Sequence, residues 1–307
     1  MAGGGGSSRY PGPADRSIEE RIQQAREQEQ QRLDFDVNNL LTDILADFNG
    51  RDRDLTTRRL DDIKSILGDW VEVDKVLYGG SVAKHTEVDG ISDVDALVLL
   101  DRADLRGANA AQVREAFFKA ISDELPRHDV DDIRQGKLAV TIRYRDGMEV
   151  QLLPAVKQGN MIAVPSGTGG SWSITEPRSF RDKLVSANER LGGGLVRAIK
   201  LMKAAVSKLP EQQRLKSYHL EALAVEAARN YAGSTTPRAV LLHLLENASD
   251  RVLTPIRDRT GQSKTVDDYL GAAGSLERRN VALGLDSLRR RLAAATTAAE
   301  WKAALCD

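Results

Sequence analysis

Two glycines and a serine, followed at a distance by two aspartates, are the residues best suited to chemistry. Gly79, Gly80 and Ser81 come directly after a short β-branched run and before a predicted helical turn. Glycine lets a backbone approach a phosphate closely, and the N–H groups and the Ser81 hydroxyl can donate hydrogen bonds to phosphate oxygens. The G-x-x-x-x-G-K-[ST] pattern of a Walker loop is missing. The stretch therefore predicts a phosphate-binding turn of another kind.

Asp93 and Asp95 lie two residues apart at the start of a predicted strand. Residues at this spacing point to the same face, so both carboxylates are expected to converge while Val94 enters the core. Carboxylates and substrate phosphates are the ligands that Mg²⁺ prefers, and two ions would activate a hydroxyl and stabilise a leaving pyrophosphate. A Gly-Gly-Ser turn or an Asp-x-Asp pair is ordinarily structural when it stands by itself. Their combination, in this order, favours a catalytic metal site.

Alternating strands and helices have to position these residues. Hydrophobic periodicity and turn residues predict a small mixed α/β unit that ends near Val164. An Arg-Asp-Gly sequence indicates a hairpin turn between its last two strands. The expected elements are strands at 73–78 and 93–100, a helix at 109–125, and strands at 138–144 and 148–153.

The rest of the chain is predicted to be mostly helical, with an exposed polar helix over 17–33 and an amphipathic pattern from Asp36 onwards. A glycine triplet at 192–194 marks a weak point in the first of the later helices. We expect a disordered Gly/Ser/Pro-rich tail at 1–16, a lobe over 17–165, a linker over 166–177 and a helical lobe over 178–307. The later helices are expected at 178–209, 216–232, 237–248 and 275–304.

Composition excludes several classes of protein. Among 307 residues, 44 Lys and Arg balance 45 Asp and Glu, which argues against extended binding of duplex DNA. A single cysteine, Cys306, excludes a disulfide framework and a Cys-based zinc site within one chain. No stretch approaches the roughly 20 apolar residues of a membrane helix. We expect a cytoplasmic protein that does not bind membranes.

The Gly-Ser turn followed by an Asp-x-Asp strand resembles the nucleotidyltransferases of the DNA polymerase beta superfamily. The segment 199–203 (IKLMK), followed by 217–221 (SYHLE), resembles the helical lobe of cyclic GMP-AMP synthase and oligoadenylate synthetase. The match is closest to their bacterial relatives, the CD-NTases, which make cyclic oligonucleotides in anti-phage defence. The resemblance covers roughly residues 35–300. It implies an α+β fold, with a polymerase beta-like lobe, a C-terminal helical lobe and an active site in the cleft between them.

The resemblance also implies roles for individual residues. Taken alone, Lys203 would lie on a solvated basic helix face and Tyr218 would be a core aromatic. Lys84 and Thr86 could touch phosphates, and Asp258 or Gln262 could contact a base. By the resemblance, Gly80 and Ser81 would hold the triphosphate, Asp93 and Asp95 would bind Mg²⁺ or Mn²⁺, Lys203 and Ser217 would contact donor phosphates, and Tyr218 would stack on the donor base.

One position departs from the family pattern. Related enzymes carry a third acid on a later strand, and Gln151 occupies that place here. An amide can coordinate Mg²⁺ through its oxygen but is a poor general base. Glu149, two residues earlier on the same strand face, could supply the carboxylate. Three interpretations follow: Glu149 substitutes, two acids suffice with help from Gln151, or the enzyme is impaired; the first two are favoured because the turn and the aspartates are intact.

The expected reaction joins nucleoside triphosphates, ATP in particular, into a cyclic di- or trinucleotide second messenger. A ribose hydroxyl of one nucleotide attacks the α-phosphorus of another and releases pyrophosphate. A regulatory protein encoded nearby is the expected partner. Two alternatives stay open: a nucleotidyltransferase that acts on RNA or protein, and an inactive nucleotide-binding module, which Gln151 supports.

Overall fold

A mixed sheet packed against two helices forms the first lobe. The computed structural model describes residues 18–48, 50, 52–89, 93–101, 104–105, 107–125, 129–158, 161–166, 170–175, 177–256 and 267–306, so the tail predicted at 1–16 lies outside the described residues. The strands are β1 (Val73–Tyr78), β2 (Val94–Leu100), β3 (Val130–Gln135), β4 (Val140–Tyr144), β5 (Glu149–Gln158), β6 (Met161–Pro165) and β7 (Trp172–Thr175). The helices are α1 (Ile18–Asp47), α2 (Arg53–Gly68), α3 (Ala110–Glu124), α4 (Pro177–Arg190), α5 (Gly194–Ser207), α6 (Ser217–Ala227), α7 (Pro237–Arg251), α8 (Leu276–Ala294) and α9 (Ala298–Cys306).

The strands lie in the order β1-β2-β5-β4-β3, with β6 joined to β5 and to β7. Only the β2–β5 pair is parallel among these described pairings, and its register places Asp95 beside Gln151. Because side chains alternate along a strand, Val94 and Val98 enter the core while Asp95 faces the other side. The sheet topology thus brings Asp95 together with Gln151, the residue that departs from the family pattern.

Helices α2 and α3 cover one face of the sheet. Phe117 and Ile121 of α3 are fully buried against Val98 and Ile142. Helix α3 begins with a capping box, in which the Asn109 side chain accepts N–H bonds of the first turn. This arrangement leaves the opposite face of the sheet, which carries Asp95, for the helical lobe.

The helical lobe has its own core, and α1 contributes to it. Val37, Leu41, Ile44 and Leu45 of α1 pack in the same hydrophobic cluster as α5, α7 and α8. The residues of α1 from 18 to 32 are exposed, as the polar composition of this segment predicted. The sequence grouped α1 with the first lobe, whereas its buried stripe completes the core of the second.

Two predicted helices are each divided in two. The helix expected at 178–209 ends at Arg190, where Gly192 and Gly193 adopt φ values of +55° and +82° that favour glycine. The helix expected at 275–304 stops at Ala294. A new helix, α9, starts because Thr297 Oγ1 accepts the Glu300 N–H at 3.2 Å and Glu300 Oε2 accepts the Thr296 N–H at 2.6 Å.

Strands β3, β6 and β7 were not expected. Strand β3 was missed because its sequence, VDDIRQ, is too polar to show a clear alternation. The segment predicted as a linker contains β7, which pairs with β6, so the sheet extends beyond residue 165. Within the described part of the chain, no helix is long and apolar enough to cross a membrane.

Candidate active site

Asp93 and Asp95 flank Val94, the first residue of β2, on the sheet face opposite α2 and α3. Asp95 is half-buried and lies among neighbouring acids. Burial, followed by the charge of Asp93, raises the pKa of Asp95 to about 6. Two carboxylates confined in this way repel each other, and a bound cation would relieve the repulsion. The pair therefore fits the predicted role of metal ligands.

The glycine turn is seated directly on Asp95. The Gly79 N–H donates to the Asp95 backbone oxygen at 2.7 Å. Gly80 has a φ of +48°, and a Cβ added there would lie 1.6 Å from Asp95 Oδ2. Ser81 follows, only 6% exposed, and begins a 3-10 turn over Val82–Lys84. The structure thus places the predicted phosphate-binding turn against the predicted metal ligand.

Gln151 joins this cluster and Glu149 does not. The Gln151 amide donates from Nε2 to Asp93 Oδ2 at 2.7 Å. Glu149 Oε1 instead lies 3.5 Å from Arg134 Nη2 and 3.7 Å from Arg143 Nε. Of the two candidates for the third metal ligand, Gln151 contacts Asp93, whereas Glu149 pairs with two arginines.

A buried ionic cluster connects the two lobes beside the glycine turn. Glu221 of α6 is 1% exposed and accepts from Lys203 Nζ at 2.7 Å and from Thr86 Oγ1 at 2.6 Å. The Lys84 ammonium pairs with the other oxygen of the same carboxylate. Burial alone would raise the pKa of Glu221, but Lys203 and Lys84 outweigh it and hold the pKa below its ordinary value.

This cluster decides where several predicted phosphate contacts lie. The Lys203 ammonium is 1% exposed, so the expectation of a solvated basic face is wrong for this residue. Lys203 Nζ also donates to the Thr86 backbone oxygen at 2.9 Å. Thr86 is itself fully buried, and its hydroxyl is directed at Glu221. The proposed phosphate contacts of Lys203, Lys84 and Thr86 stay predictions.

Ser217 and Tyr218 begin α6, one turn before Glu221. Tyr218 is 45% exposed, so it is not the core aromatic that its sequence context alone suggested. A cavity of about 130 Å³ is lined by both Lys203 and Ser217, together with Arg214. A larger cavity of about 530 Å³ lies beside Trp70 and α3 and is lined by none of the predicted site residues.

Sequence reasoning gave Glu221 no role, although a signal was present. Glu221 stands between apolar residues of α6, including Leu220 and Leu223, on the buried side of the helix. A carboxylate in such a stripe requires a cationic partner. Asp258 and Gln262, the other predicted base contacts, lie outside the described residues.

The donor set suits a hard divalent cation. Asp93 and Asp95 supply carboxylate oxygens. Gln151 lies beside them, and its amide oxygen is a further group that can coordinate Mg²⁺. Among the described residues, no group of three or more His, Cys, Asp or Glu could hold a metal ion. The site therefore offers two charged ligands rather than three.

The two lobes, the glycine turn and the aspartate pair at the start of an interior strand define a nucleotidyltransferase. The sequence matches the Second Messenger Oligonucleotide or Dinucleotide Synthetase domain over residues 35–188, half of the chain. The chain belongs to this family of enzymes, which synthesise cyclic oligonucleotides, and the predicted resemblance is confirmed. No curated protein matches the sequence.

Solved structures show the same fold at low sequence identity. The Bradyrhizobium diazoefficiens CD-NTase CdnG, in complex with GTP, has a TM-score of 0.69 and 14% identity over 88% of this chain and 95% of that one. CdnC of E. coli MS115-1, with ATP, has a TM-score of 0.61 and 16% identity over 83% and 91%. The Vibrio cholerae cyclic AMP-GMP synthase DncV, with the linear intermediate 5′ pppA(3′,5′)pG, has a TM-score of 0.61 and 12% identity over 94% and 91%. CdnC is also solved as a CdnC:HORMA-deltaN complex, with a TM-score of 0.55 and 16% identity over 83% and 91%. These likenesses confirm the α+β fold.

Proposed function

We propose that this enzyme uses Mg²⁺ or Mn²⁺ to join nucleoside triphosphates, ATP among them, into a cyclic di- or trinucleotide. A ribose hydroxyl of one nucleotide attacks the α-phosphorus of another, and pyrophosphate leaves. A second attack within the linear product closes the ring. The observation that carries the proposal is the contact between Gly80 and Asp95, which joins a phosphate-binding turn to a carboxylate pair.

The site residues divide this work between the lobes. Asp93 and Asp95 would hold the metal, which when bound stabilises negative charge on the reacting phosphates. Gly80 and Ser81 would hold the triphosphate through backbone N–H groups and a hydroxyl. Ser217 and Lys203 would contact donor phosphates from the helical lobe, and Tyr218, with its ring exposed, would stack on the donor base.

The nucleotides bound in related structures support this choice of substrate. CdnC is solved with ATP and CdnG with GTP, and by this likeness we propose purine nucleoside triphosphates as substrates. The linear intermediate in DncV supports bond formation in two successive steps. By the same likeness we propose that this protein acts in the bacterial cytoplasm in anti-phage signalling. The CdnC:HORMA-deltaN complex supports a regulatory partner protein.

Replacement of both aspartates tests the proposal. We expect the purified protein, incubated with all four nucleoside triphosphates and Mg²⁺ or Mn²⁺, to form a phosphatase-resistant cyclic product that mass analysis identifies. Asp93→Asn/Asp95→Asn should lower product formation by at least about a hundred-fold, because the amides do not carry the charge that holds the metal. Asp61→Asn/Asp62→Asn is the matched control, since both residues are exposed on α2, across the sheet.

The other outcomes separate the alternatives. Linear products alone would indicate an enzyme that extends chains. Binding of ATP without release of pyrophosphate, with or without a candidate partner protein, would indicate an inactive nucleotide-binding module. Equal product from the Asp93→Asn/Asp95→Asn and control variants would contradict the assignment of the dyad.

A further inference from the structure

A chain of polar groups lies beneath the start of α6, outside the residues so far assigned. The Tyr269 hydroxyl oxygen lies 3.0 Å from His219 Nδ1. The same oxygen accepts the Lys216 backbone N–H at 3.1 Å. His219 is fully buried, and its ring meets that of Tyr269 edge to face, with centroids 5.9 Å apart. One hydroxyl thus bridges two residues of the same helix start.

The hydrogen-bond direction along this chain follows from donor and acceptor chemistry. Because the hydroxyl oxygen accepts from Lys216, its single hydrogen is available to His219 Nδ1. A neutral imidazole that accepts at Nδ1 carries its own hydrogen on Nε2. His219 Nε2 faces Asp267 Oδ2 at 3.6 Å. At this separation the contact is electrostatic, because His219 Nε2 makes no hydrogen bond among the described residues.

This series of polar groups ends at a buried ion pair between Asp267 and Arg278. Asp267 is fully buried, and its carboxylate accepts from Arg278 Nη1 at 2.7 Å and from the Ile256 N–H at 3.1 Å. Arg278, also fully buried, donates to the Val252 backbone oxygen at 2.8 Å. These contacts connect the His219 ring to the end of α7 and the start of α8. The Tyr269 hydroxyl is consequently fixed against the core of the helical lobe.

Lys216 and His219 bracket the dipeptide Ser217–Tyr218. No side-chain hydrogen bond caps α6 at Lys216. The Lys216 ammonium also lies 4.6 Å from the centroid of the Tyr269 ring. Tyr269 thus contacts the helix start through both its hydroxyl and its ring.

We propose that Tyr269 is a positioning residue, whose hydroxyl holds the first turn of α6 so that Tyr218 meets the base of the donor nucleotide. The inference rests on the proposed function, because it takes from there the stacking role of Tyr218. It adds a residue outside the glycine turn and the Asp93–Asp95 pair, which acts through its contacts with Lys216 and His219.

Removal of the hydroxyl tests this inference. Tyr269→Phe should raise the Kd for ATP, measured by calorimetry, roughly three- to ten-fold, the effect of one hydrogen bond. The kcat for pyrophosphate release at saturating ATP should change by less than about two-fold, because the dyad is untouched. The matched control is Tyr231→Phe, which removes a hydroxyl that donates to the Ser234 backbone oxygen at 2.6 Å in the same lobe. We expect this control to leave the Kd for ATP unchanged at a comparable loss of thermal stability.

A double-mutant cycle shows whether Tyr269 acts through Tyr218. In a Tyr218→Ala background, Tyr269→Phe should have no further effect on the Kd for ATP, because the group that it positions is gone. An additive effect would indicate general damage to the lobe and would overturn the inference. So would an unchanged Kd in Tyr269→Phe or in Tyr218→Ala. In that case loss of product in Asp93→Asn/Asp95→Asn would still support the proposed function, so the two failures are distinguishable.

Discussion

Gln151 stands beside the Asp93–Asp95 pair, at the position where related enzymes carry a third acid. The direction of its hydrogen bond indicates its role there. Because Gln151 Nε2 donates to Asp93 Oδ2, the amide orients a carboxylate that would bind the metal. Glu149 is one pleat away, and its charge is balanced by Arg134 and Arg143. The contacts favour the interpretation in which two acids suffice and Gln151 assists them.

We predict that Gln151→Ala lowers the rate of pyrophosphate release at least about ten-fold, the usual cost of losing a hydrogen-bond partner of a metal ligand. Glu149→Gln should retain the rate to within about a factor of three, because its partners are arginines at the half-exposed side of the sheet. Both rates can be measured by a coupled pyrophosphate assay. The reverse order of effects would restore Glu149 as the third acid.

Among the elements, the turn after β1 and the strand β2 depend on each other. Gly79 continues the hydrogen bonding of β1 to β2, and Gly80 then turns the chain across the Asp95 side chain. Only a residue without a Cβ can lie so near the carboxylate with a positive φ. The Gly-Gly pair is therefore required by the position of the Asp95 carboxylate as well as by the predicted contact with phosphate.

We predict that Gly80→Ala lowers the rate of pyrophosphate release at least about a hundred-fold, because the new Cβ would displace the Asp95 carboxylate. The free energy of unfolding should fall by only about 1–2 kcal/mol, the cost of a left-handed residue other than glycine. Gly79→Ala is the matched control, since its Cβ would make ordinary contacts of 3.6 Å with Asp95. Steady-state rates and thermal melting distinguish them, and equal activity of the two variants would contradict the assignment.

At the scale of the whole molecule, Glu221 connects the helical lobe to the segment after the glycine turn. Its carboxylate joins Lys203 of α5 to Lys84 and Thr86 of the first lobe. A buried carboxylate with two ammonium groups is strongly destabilised when one partner is removed. The cluster therefore stabilises the contact between the two lobes beside the glycine turn.

We predict that Glu221→Gln lowers the free energy of unfolding by about 3–5 kcal/mol, because it leaves Lys203 buried without a counter-charge. Glu226→Gln on the same helix should cost about 1 kcal/mol or less, since its pair with Arg251 is partly exposed. Urea unfolding measures both. A similar small loss in the two variants would show that the buried cluster does not hold the lobes together.

Local patterns were sufficient for much of the fold and of the site. The short β-branched run before Gly79 and the run after Asp93 predicted β1 and β2, and the turn at 145–147 predicted the β4–β5 hairpin; the structure confirms all three. The break of α8 from α9 was missed, although Thr297 and Glu300 form a recognisable capping pair. Strand β3 could not be predicted, because its pairing with β4 outweighs a polar sequence.

Residue types and their spacing predicted the aspartate pair and the glycine turn, because both depend on neighbours in the chain, and the resemblance of this pattern to a known superfamily predicted the class of enzyme. Packing between distant segments decided the rest. The β2–β5 register placed Gln151 beside Asp95, and the Gln151 side chain, rather than that of Glu149, reaches Asp93. Contact with Thr86 and Lys84 of the first lobe buried the Lys203–Glu221 pair, and the core of the helical lobe brought Tyr269 to the Lys216 backbone N–H at the start of α6. Contacts of this kind depend on tertiary packing, and no local pattern in the chain specifies them.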